Sequence, residues 1–263
     1  MYTPTLEKIN EAVEAKKKLM ASGLLRYVVA AMLAGAYVGF GIMLIFTVGG
    51  NFKAAGSPAV PMVMGMSFGI ALTLVIFAGS ELFTGNNMLF TVSSLSGKTP
   101  WTHTLKNWAI VFAGNLLGAV LFSLLIKSSG VFGGIPAEHL LFAATANKMS
   151  MPVTELFFRG ILCNWLVCLA IWTSMRAKED IAKLLLIWWM LYAFIATGFE
   201  HSVANMSLMT VALLLPQHPD TITLAGWLHN MVPVTLGNIV GGAVFVGIAY
   251  WFISPVRSAR SKI

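Results

Sequence analysis

The chain is a succession of long apolar runs separated by short polar segments. Each run is long enough to cross the hydrocarbon core of a bilayer, which takes about 20 residues as a helix. The pattern predicts six membrane-spanning helices, at residues 27–48, 61–95, 107–127, 153–175, 183–215 and 225–253. Only 10% of the residues are charged, whereas an ordinary soluble domain carries about 25%. We therefore expect an all-α membrane protein.

The segment before the first span, residues 1–26, predicts an amphipathic helix on the cytoplasmic surface. Leu6, Ile9, Val13 and Met20 recur at roughly helical spacing, with charged residues between them. This segment lacks the apolar core of a cleavable signal peptide, so the first span itself would direct insertion. A further role of the helix as a lid over a pore remains open.

Lysine and arginine lie mainly in segments that face the cytoplasm if both termini are cytoplasmic. Of the 17 such residues, all but Lys53, Lys127, Lys148 and Arg159 fall on that side. This asymmetry predicts the orientation, with residues 254–263 as a cytoplasmic tail. It also accounts for the net charge of +7, so the basic composition requires no nucleic-acid partner.

Two polar windows, residues 79–86 and 198–205, interrupt the second and fifth spans. They share Gly, Glu and Asn at the same offsets. Non-helical backbone persists at membrane depth only where protein or water satisfies its polar groups, so we predict that both helices break and face a protein-lined cavity. Four side chains of the windows are expected to stabilise the broken loops: Glu81, Glu200, Asn86 and Asn205.

A second matched pair, GNLLG at 114–118 and GNIVG at 237–241, indicates an internal repeat. Residues 27–127 and 153–253 then form two three-helix repeats within one channel domain at 27–253. Because each repeat has an odd number of spans, the second inserts upside down, as in many transporters. The half-helices that follow the breaks would point their positive N-terminal ends at a shared cavity, which suits an anion.

The second window contains an ionisable residue that the first lacks, because His201 stands where the first window has Leu82. An ionisable side chain inside a membrane span indicates a functional site. Histidine exchanges a proton near neutral pH. It could therefore lend a proton to a passing anion, or remain neutral while the anion passes as such; the sequence leaves both versions open.

Four strings closely resemble the formate/nitrite transporter family of bacterial anion channels, most of all its nitrite branch. They are AGAYVGFGI (34–42), SELFTGN (80–86), ILCNWLVCLAIW (161–172) and FEHSVANM (199–206). The resemblance implies an aquaporin-like six-helix protomer. It also implies a homopentamer in the bacterial inner membrane, with a separate pore in each protomer and neither cofactor nor metal.

The resemblance also implies roles for individual residues. The family's central pore histidine falls on His201, with Thr84 facing it, Asn164 facing the centre and Lys148 near the outer mouth. A cytoplasmic constriction would consist of Phe68, Leu72 and Phe194. An outer constriction would consist of Leu82, Phe83 and Val167.

The expected function is a channel or transporter for small monovalent anions, with nitrite as the first candidate. Formate or hydrosulfide is the alternative cargo. A neutral-solute channel is a more remote alternative, because neither window contains the Asn-Pro-Ala motif of aquaporins. A membrane redox enzyme with haem on His201 and His229 is disfavoured, because the spacing offers no paired histidines on one helix face.

Overall fold

The computed structural model describes residues 2–254, and all regular secondary structure within that part is helical. Apart from Ser254, the predicted tail lies outside the described residues, including Arg257, Arg260 and Lys262. Within residues 2–254, five continuous helices are long and apolar enough to span a membrane: Leu24–Ala54, Val60–Gly79, Trp101–Ser129, Val153–Arg176 and Leu224–Phe252.

The first repeat begins with a surface helix and a long span, and then contains the first broken helix. In chain order its helices are α1 (Thr3–Ser22), α2 (Leu24–Ala54), α3 (Val60–Ser67), α4 (Gly69–Thr73), α5 (Phe83–Leu95) and α6 (Trp101–Ser129). A π-helical turn at Leu74–Gly79 extends α4 to the break.

The short helix α7 (Leu140–Ser150) precedes the second repeat, which again has a long span, a broken span and a third span. The helices of this repeat are α8 (Val153–Arg176), α9 (Asp180–Ala196), α10 (Ser202–Leu214), α11 (Leu224–Gly242) and α12 (Ala249–Phe252). A second π-helical turn, Ala243–Ile248, joins the last two. The fifth predicted span is therefore the pair α9 and α10, and α7 is a short helix in the segment between the repeats.

Both predicted breaks are present, and each begins at a glycine with left-handed backbone. Gly79 has φ of 82° and Gly198 has φ of 73°, a conformation that glycine adopts without the steric cost a Cβ would bring. Helix α5 begins at Phe83 and α10 at Ser202, after an extended residue in each case. The prediction that helices 2 and 5 are broken is confirmed.

Equivalent glycines allow the first and third spans of each repeat to approach closely. A Cβ added to Gly118 would collide with the backbone carbonyl of Met32, and one added to Gly241 would collide with that of Ile161. Small residues of this kind let membrane helices pack backbone to backbone. The contacts of α2 with α6 thus correspond to those of α8 with α11.

The N-terminal helix packs its apolar face on the rest of the molecule, as the spacing predicted. Leu6, Ile9 and Val13 are buried, whereas Met20 is half-buried. Conversely, α2, α6, α8 and α11 expose large apolar side chains on their outward faces, among them Leu25 and Leu125. Large apolar side chains on the outward faces of long helices are the pattern of a multi-pass membrane protein, because lipid rather than water surrounds it.

Candidate pore site

The carboxylate of Glu81 holds the first broken loop together. It accepts hydrogen bonds from Tyr27 Oη at 2.9 Å, Asn86 Nδ2 at 3.1 Å and Lys16 Nζ at 2.7 Å. Its backbone N–H donates to the Ala30 carbonyl at 3.1 Å. A buried carboxylate is tolerated only when it is paired and hydrogen-bonded in this way.

Glu200 occupies the equivalent place in the second loop. Its carboxylate accepts from Lys148 Nζ at 2.5 Å, Asn205 Nδ2 at 2.7 Å and Asn230 Nδ2 at 3.4 Å. Its backbone N–H donates to the Arg159 carbonyl at 3.3 Å. The structure thus places Glu81, Asn86, Glu200 and Asn205 within the loop networks that the matched windows suggested.

Asn115 of α6 ties the first loop to the neighbouring helices. Its Oδ1 accepts from the backbone N–H of Phe83 at 2.9 Å, which satisfies the first donor of α5. Its Nδ2 donates to the Ala31 and Glu81 carbonyls at 2.7 and 2.8 Å. One side chain therefore fixes the end of the loop, the start of the half-helix and helix α2 together.

Asn238 of α11 makes the same three bonds in the second repeat. It accepts from the Ser202 N–H at 2.8 Å and donates to the Gly160 and Glu200 carbonyls at 2.8 and 2.9 Å. The sequence showed both asparagines only as part of the repeated GN motif and assigned them no role. The repetition itself was the signal that could have identified them.

A further hydrogen bond in each loop network is also repeated, and it joins two asparagine side chains. Asn86 Nδ2 donates to Asn107 Oδ1 at 3.1 Å, and Asn205 Nδ2 donates to Asn230 Oδ1 at 2.8 Å. These side chains bring the first turn of each half-helix against the third span of its own repeat. The two breaks are therefore built on one hydrogen-bond scaffold used twice.

His201 and Thr84 join the two loops at the centre of the molecule. His201 Nε2 lies 3.0 Å from Thr84 Oγ1, and both residues are buried. His201 is also the N-cap of α10, because its Nδ1 accepts from the Ala204 backbone N–H at 3.1 Å. The predicted pair of pore residues is brought together by side chains from opposite repeats.

Two cavities meet at His201. The first, which we call the vestibule, has a volume of about 130 Å³ and is lined by Lys148, Asn205, His201 and apolar side chains that include Phe194. The second, which we call the constriction, has room for about one water-sized sphere, at about 10 Å³. Its lining is apolar except for His201: Val38, Phe68, Ala71, Leu72, Leu82, Val167, Leu191, Phe194 and His201.

The order of the narrow points is opposite to the expectation from the resemblance. Along α2, Val38 lines the constriction, whereas Ile42 and Phe46, farther from the N-terminal end, line the vestibule with Lys148. Phe194 borders the vestibule, but Leu82 does not. If the N-terminus is cytoplasmic, Phe194 lies toward the outside and Leu82 toward the cytoplasm.

The reversal follows from the direction of the broken helices. The first broken span starts on the Lys148 side, where Met64 lines the vestibule, and Phe68 follows one turn later. Phe68 packs edge-on against Phe194, with ring centroids 5.5 Å apart. If the N-terminus is cytoplasmic, Phe68 and Phe194 therefore lie on the outer side, whereas the resemblance implied a cytoplasmic constriction. Leu72, one turn beyond Phe68, lies with Val167 and Leu82 in the lining of the constriction alone.

Three expected pore residues line neither cavity: Thr84, Phe83 and Asn164. Thr84 is fully buried behind His201. Phe83 packs its ring edge-on against Phe112, with centroids 5.1 Å apart. Asn164 was expected to face the centre, but its Nδ2 donates to the Thr84 carbonyl at 3.1 Å and the Asn238 carbonyl at 2.6 Å. Asn164 therefore lies behind Thr84 and holds the start of α5 against the second repeat.

The described residues also bear on the haem alternative. His229 Nε2 is hydrogen-bonded to the Met151 carbonyl at 2.9 Å, near the junction of α7 and α8, whereas His201 is bonded to Thr84. Within residues 2–254, no group of three or more His, Cys, Asp or Glu side chains has the arrangement of a metal site.

Comparison with known proteins decides the family. The profile described as "Formate/nitrite transporter" matches residues 4–252, which is nearly the whole chain. The chain belongs to the formate/nitrite transporter family. This result confirms the resemblance drawn from the four sequence strings.

Relatives within the formate/nitrite transporter family match over almost their full length. The nitrite transporter NirC of Salmonella typhimurium is 46% identical, over 100% of this chain and 97% of the relative. A solved structure described as an FNT family ion channel superposes with a TM-score of 0.92 at 44% identity, covering 96% of this chain and all of the other. A pentameric formate channel with formate bound has a TM-score of 0.78 at 29% identity, covering 87% and 96%.

Family membership and these superpositions confirm the fold class, an all-α membrane protein of the formate/nitrite transporter type. They also show a multi-pass membrane protein whose relatives are transporters and channels. The cavities, His201 and Thr84 thus lie within a fold that transports small solutes in its relatives.

Proposed function

We propose that the chain is a channel for small monovalent anions and that nitrite is its main cargo. The observation that carries the proposal is the position of His201, which lines both the vestibule and the constriction and is bonded to the buried Thr84. The similarity to the Salmonella nitrite transporter over the full chain supports nitrite as the cargo.

The charges and dipoles around the vestibule suit an anion. Lys148 lines it, and helix α10 begins at its wall. The N-terminal end of a helix carries a partial positive charge, which favours anions. The Ser202 and Ala204 N–H groups of α10 are bonded to Asn238 and His201, so the dipole rather than a direct bond acts on the anion. Because Lys148 is already paired with Glu200, it contributes a local dipole more than a free charge, and binding stays weak enough for the anion to leave.

An anion that enters the constriction must lose most of its water. Removing an ion from water into an apolar passage is costly unless the lost hydrogen bonds are replaced. His201 is the polar side chain in the lining of the constriction, with Thr84 bonded to it from behind. Leu82, Leu72 and Val167 line the same narrow passage. We propose the roles of Lys148, Thr84 and His201 on this basis.

The assembly and placement belong to the same proposal. We propose a homopentamer in the bacterial inner membrane with both termini in the cytoplasm. The pentameric description of a structural relative supports the assembly, and the distribution of Lys and Arg supports the orientation. Residues 1–26 would lie on the cytoplasmic surface, residues 27–253 would form the channel, and residues 254–263 would be a cytoplasmic tail.

Formate is the second candidate cargo, because a structural relative at 29% identity is a formate channel with formate bound. Hydrosulfide is a further alternative from the family resemblance. Both are small monovalent anions, so the same donors and the same apolar passage would serve them. A neutral-solute channel is the most distant alternative, since the site presents polar donors at one point only.

Uptake into liposomes containing the purified protein tests the proposal. We expect nitrite to enter faster than formate or hydrosulfide, and His201→Phe to reduce nitrite uptake by roughly 10- to 100-fold, because a hydrogen bond to a charged group is lost. Osmotic swelling without anion uptake would instead support the neutral-solute channel. Undiminished nitrite uptake by His201→Phe would contradict the central role of His201.

A further inference from the structure

Helix α2 presents one residue without a side chain to the pore. Val38 lines the constriction, and Ile42 and Ile45 line the vestibule. Gly41 is buried on the same side of the helix, because residues three and four apart share one face. The pore-facing side of α2 therefore has a gap between the residue that lines the constriction and those that line the vestibule.

The ring of Phe68 lies against this gap. A Cβ added to Gly41 would lie 3.0 Å from Phe68 Cε2 and 3.2 Å from Phe68 Cδ2, and it would lie 2.8 Å from the Cβ of Ala71. Phe68 and Ala71 both line the constriction. The glycine thus lets the ring pack against the backbone of α2, at a distance that a side chain at position 41 would not allow.

The equivalent position of the second repeat carries a side chain. Ala31 and Gly160 offer their carbonyl groups to the equivalent asparagines of the two repeats, so they correspond to each other. Gly41 lies ten residues after Ala31, and Ala170 lies ten residues after Gly160. Ala170 of α8 is therefore the counterpart of Gly41.

The counterpart of Phe68 is smaller by a corresponding amount. Phe68 lies eleven residues before Gly79, at which the first break begins, and Ile187 lies eleven residues before Gly198. The aromatic ring therefore occurs in the repeat that has glycine on its first span, and the smaller side chain occurs in the repeat that has alanine there. This pairing indicates that the glycine serves the ring.

The constriction is smaller than the anion proposed to pass through it. Its volume of about 10 Å³ holds about one water-sized sphere, whereas nitrite contains a nitrogen and two oxygen atoms. The side chains that line it must therefore give way during passage. Phe68 packs edge-on against Phe194, with ring centroids 5.5 Å apart, and Phe194 lines both cavities. A Phe68 ring displaced from α2 would occupy part of the space that the anion needs.

We propose that Gly41 determines the width of the constriction by leaving room for the Phe68 ring beside α2. The inference rests on the proposed function and adds a residue that limits the size of the cargo. Gly41 is a positioning residue, since it contacts the ring rather than the anion. In a close-packed interior an added methyl group displaces its neighbours, so a side chain at position 41 narrows the passage.

Nitrite uptake into liposomes by position 41 and 68 variants tests the proposal. We expect Gly41→Ala to reduce uptake by roughly tenfold, because overpacking forces side chains out of their preferred rotamers. Gly41→Ala/Phe68→Leu replaces the ring by a smaller side chain and should recover most of the loss. A Gly41→Ala protein that folds and assembles but conducts like the wild type would overturn the proposal, and so would a double variant that recovers nothing.

Gly39→Ala is the matched control, because its Cβ would also meet a phenylalanine ring. That Cβ would lie 2.5 Å from Phe122 Cδ1, and Phe122 lies outside the lining of both cavities. We expect a similar fall in melting temperature in detergent but nitrite uptake close to that of the wild type. An equal fall in uptake for both alanine variants would attribute the effect to crowding of α2 in general and would contradict a special role of Gly41.

The ratio of acetate to nitrite uptake distinguishes a narrower passage from a less stable protein. Acetate has a methyl group where formate has a hydrogen atom, so it needs a wider passage. We expect Phe68→Leu to raise the ratio and the addition of Gly41→Ala to lower it again. A ratio that is the same with glycine and with alanine at position 41 would overturn the proposal.

The two proposals fail in different ways. If the wild-type protein carries no anion, the proposed function is wrong and the inference falls with it. If the wild type carries nitrite but the residue at position 41 changes neither the rate nor the ratio, only the further inference is wrong.

Discussion

The two broken loops have the same scaffold and different pore chemistry. Glu81 and Glu200 each accept hydrogen bonds from an asparagine five residues later and from a lysine of the helix that precedes the repeat, α1 or α7. At the position where the chain enters the half-helix, however, Leu82 makes no side-chain cap, whereas His201 caps α10 and reaches Thr84. The hydrogen bonds that hold the broken loop are therefore the same in both repeats, whereas the side chain at the start of the half-helix differs.

Replacement of the repeated asparagines, Asn115 and Asn238, should lower the stability of the two loops more than any other change considered. Asn115→Leu and Asn238→Leu each leave the first N–H of the half-helix and the loop carbonyl of Glu81 or Glu200 without a partner, and each such buried group costs about 1–3 kcal/mol. The Ala31 and Gly160 carbonyls lie within α2 and α8 and keep their helical hydrogen bonds. We expect each variant to lose about 3 kcal/mol or more, measured as thermal unfolding of the assembled protein in detergent.

The comparison of the two asparagine variants is the informative part. Since the bonds correspond one to one, the two losses should be similar. A mild Asn115→Leu beside a severe Asn238→Leu would show that the first break is held mainly by other contacts, such as those of Tyr27 to Glu81.

Removal of the lysine partners should have an intermediate effect and should distinguish the two loops. Lys148→Met leaves the Glu200 carboxylate unpaired with 2% of its side chain exposed, whereas Lys16→Met leaves that of Glu81 with 8% exposed. Both pairs touch solvent at the lysine, so we expect about 1–3 kcal/mol, below the 3–5 of a fully buried pair. The loss should be greater for Lys148→Met.

Two double variants serve as controls, because Gln in place of Glu removes the charge that the lysine substitution leaves unpaired. They are Lys148→Met/Glu200→Gln and Lys16→Met/Glu81→Gln. Partial recovery of the melting temperature in each is expected. If neither recovers, the lysines stabilise the loops by packing rather than by charge.

The smallest expected change in stability comes from protonation of His139. This residue is the N-cap of α7, which lies outside the membrane-spanning helices, whereas His201 is the N-cap of α10. Its Nδ1 accepts from the Leu141 N–H at 3.2 Å, and burial lowers the pKa of His139. The unfolded chain therefore binds a proton more readily than the folded one. Stability should fall, by under about 1 kcal/mol, as the pH drops through the ordinary histidine range. His139→Asn keeps a cap and should reduce this pH dependence of thermal unfolding.

Much of the architecture could be predicted from the sequence. The apolar runs gave the spans, because length and hydropathy decide what can cross a bilayer. The matched windows located both breaks, which the structure begins at Gly79 and Gly198. These features depend on local composition, so a linear pattern contains them.

The details of the site depended on partners far apart in the chain. Lys16 was predicted only as a cytoplasmic charge, yet it binds Glu81 across 65 positions. Asn164 reaches the carbonyls of Thr84 and Asn238 instead of the pore. Which way a side chain points on a buried helix depends on the rotation of that helix against its neighbours, and apolar residues on all faces leave that rotation unspecified.

The ring of Phe194 has a consequence for how fast different ions can move. It borders both the vestibule and the constriction, and the space beyond it holds about one water-sized sphere. An ion must therefore shed its water shell at a single step rather than gradually along the passage. Transit times should then rank ions by the strength of their hydration more than by their bare radius, so that weakly hydrated anions cross soonest.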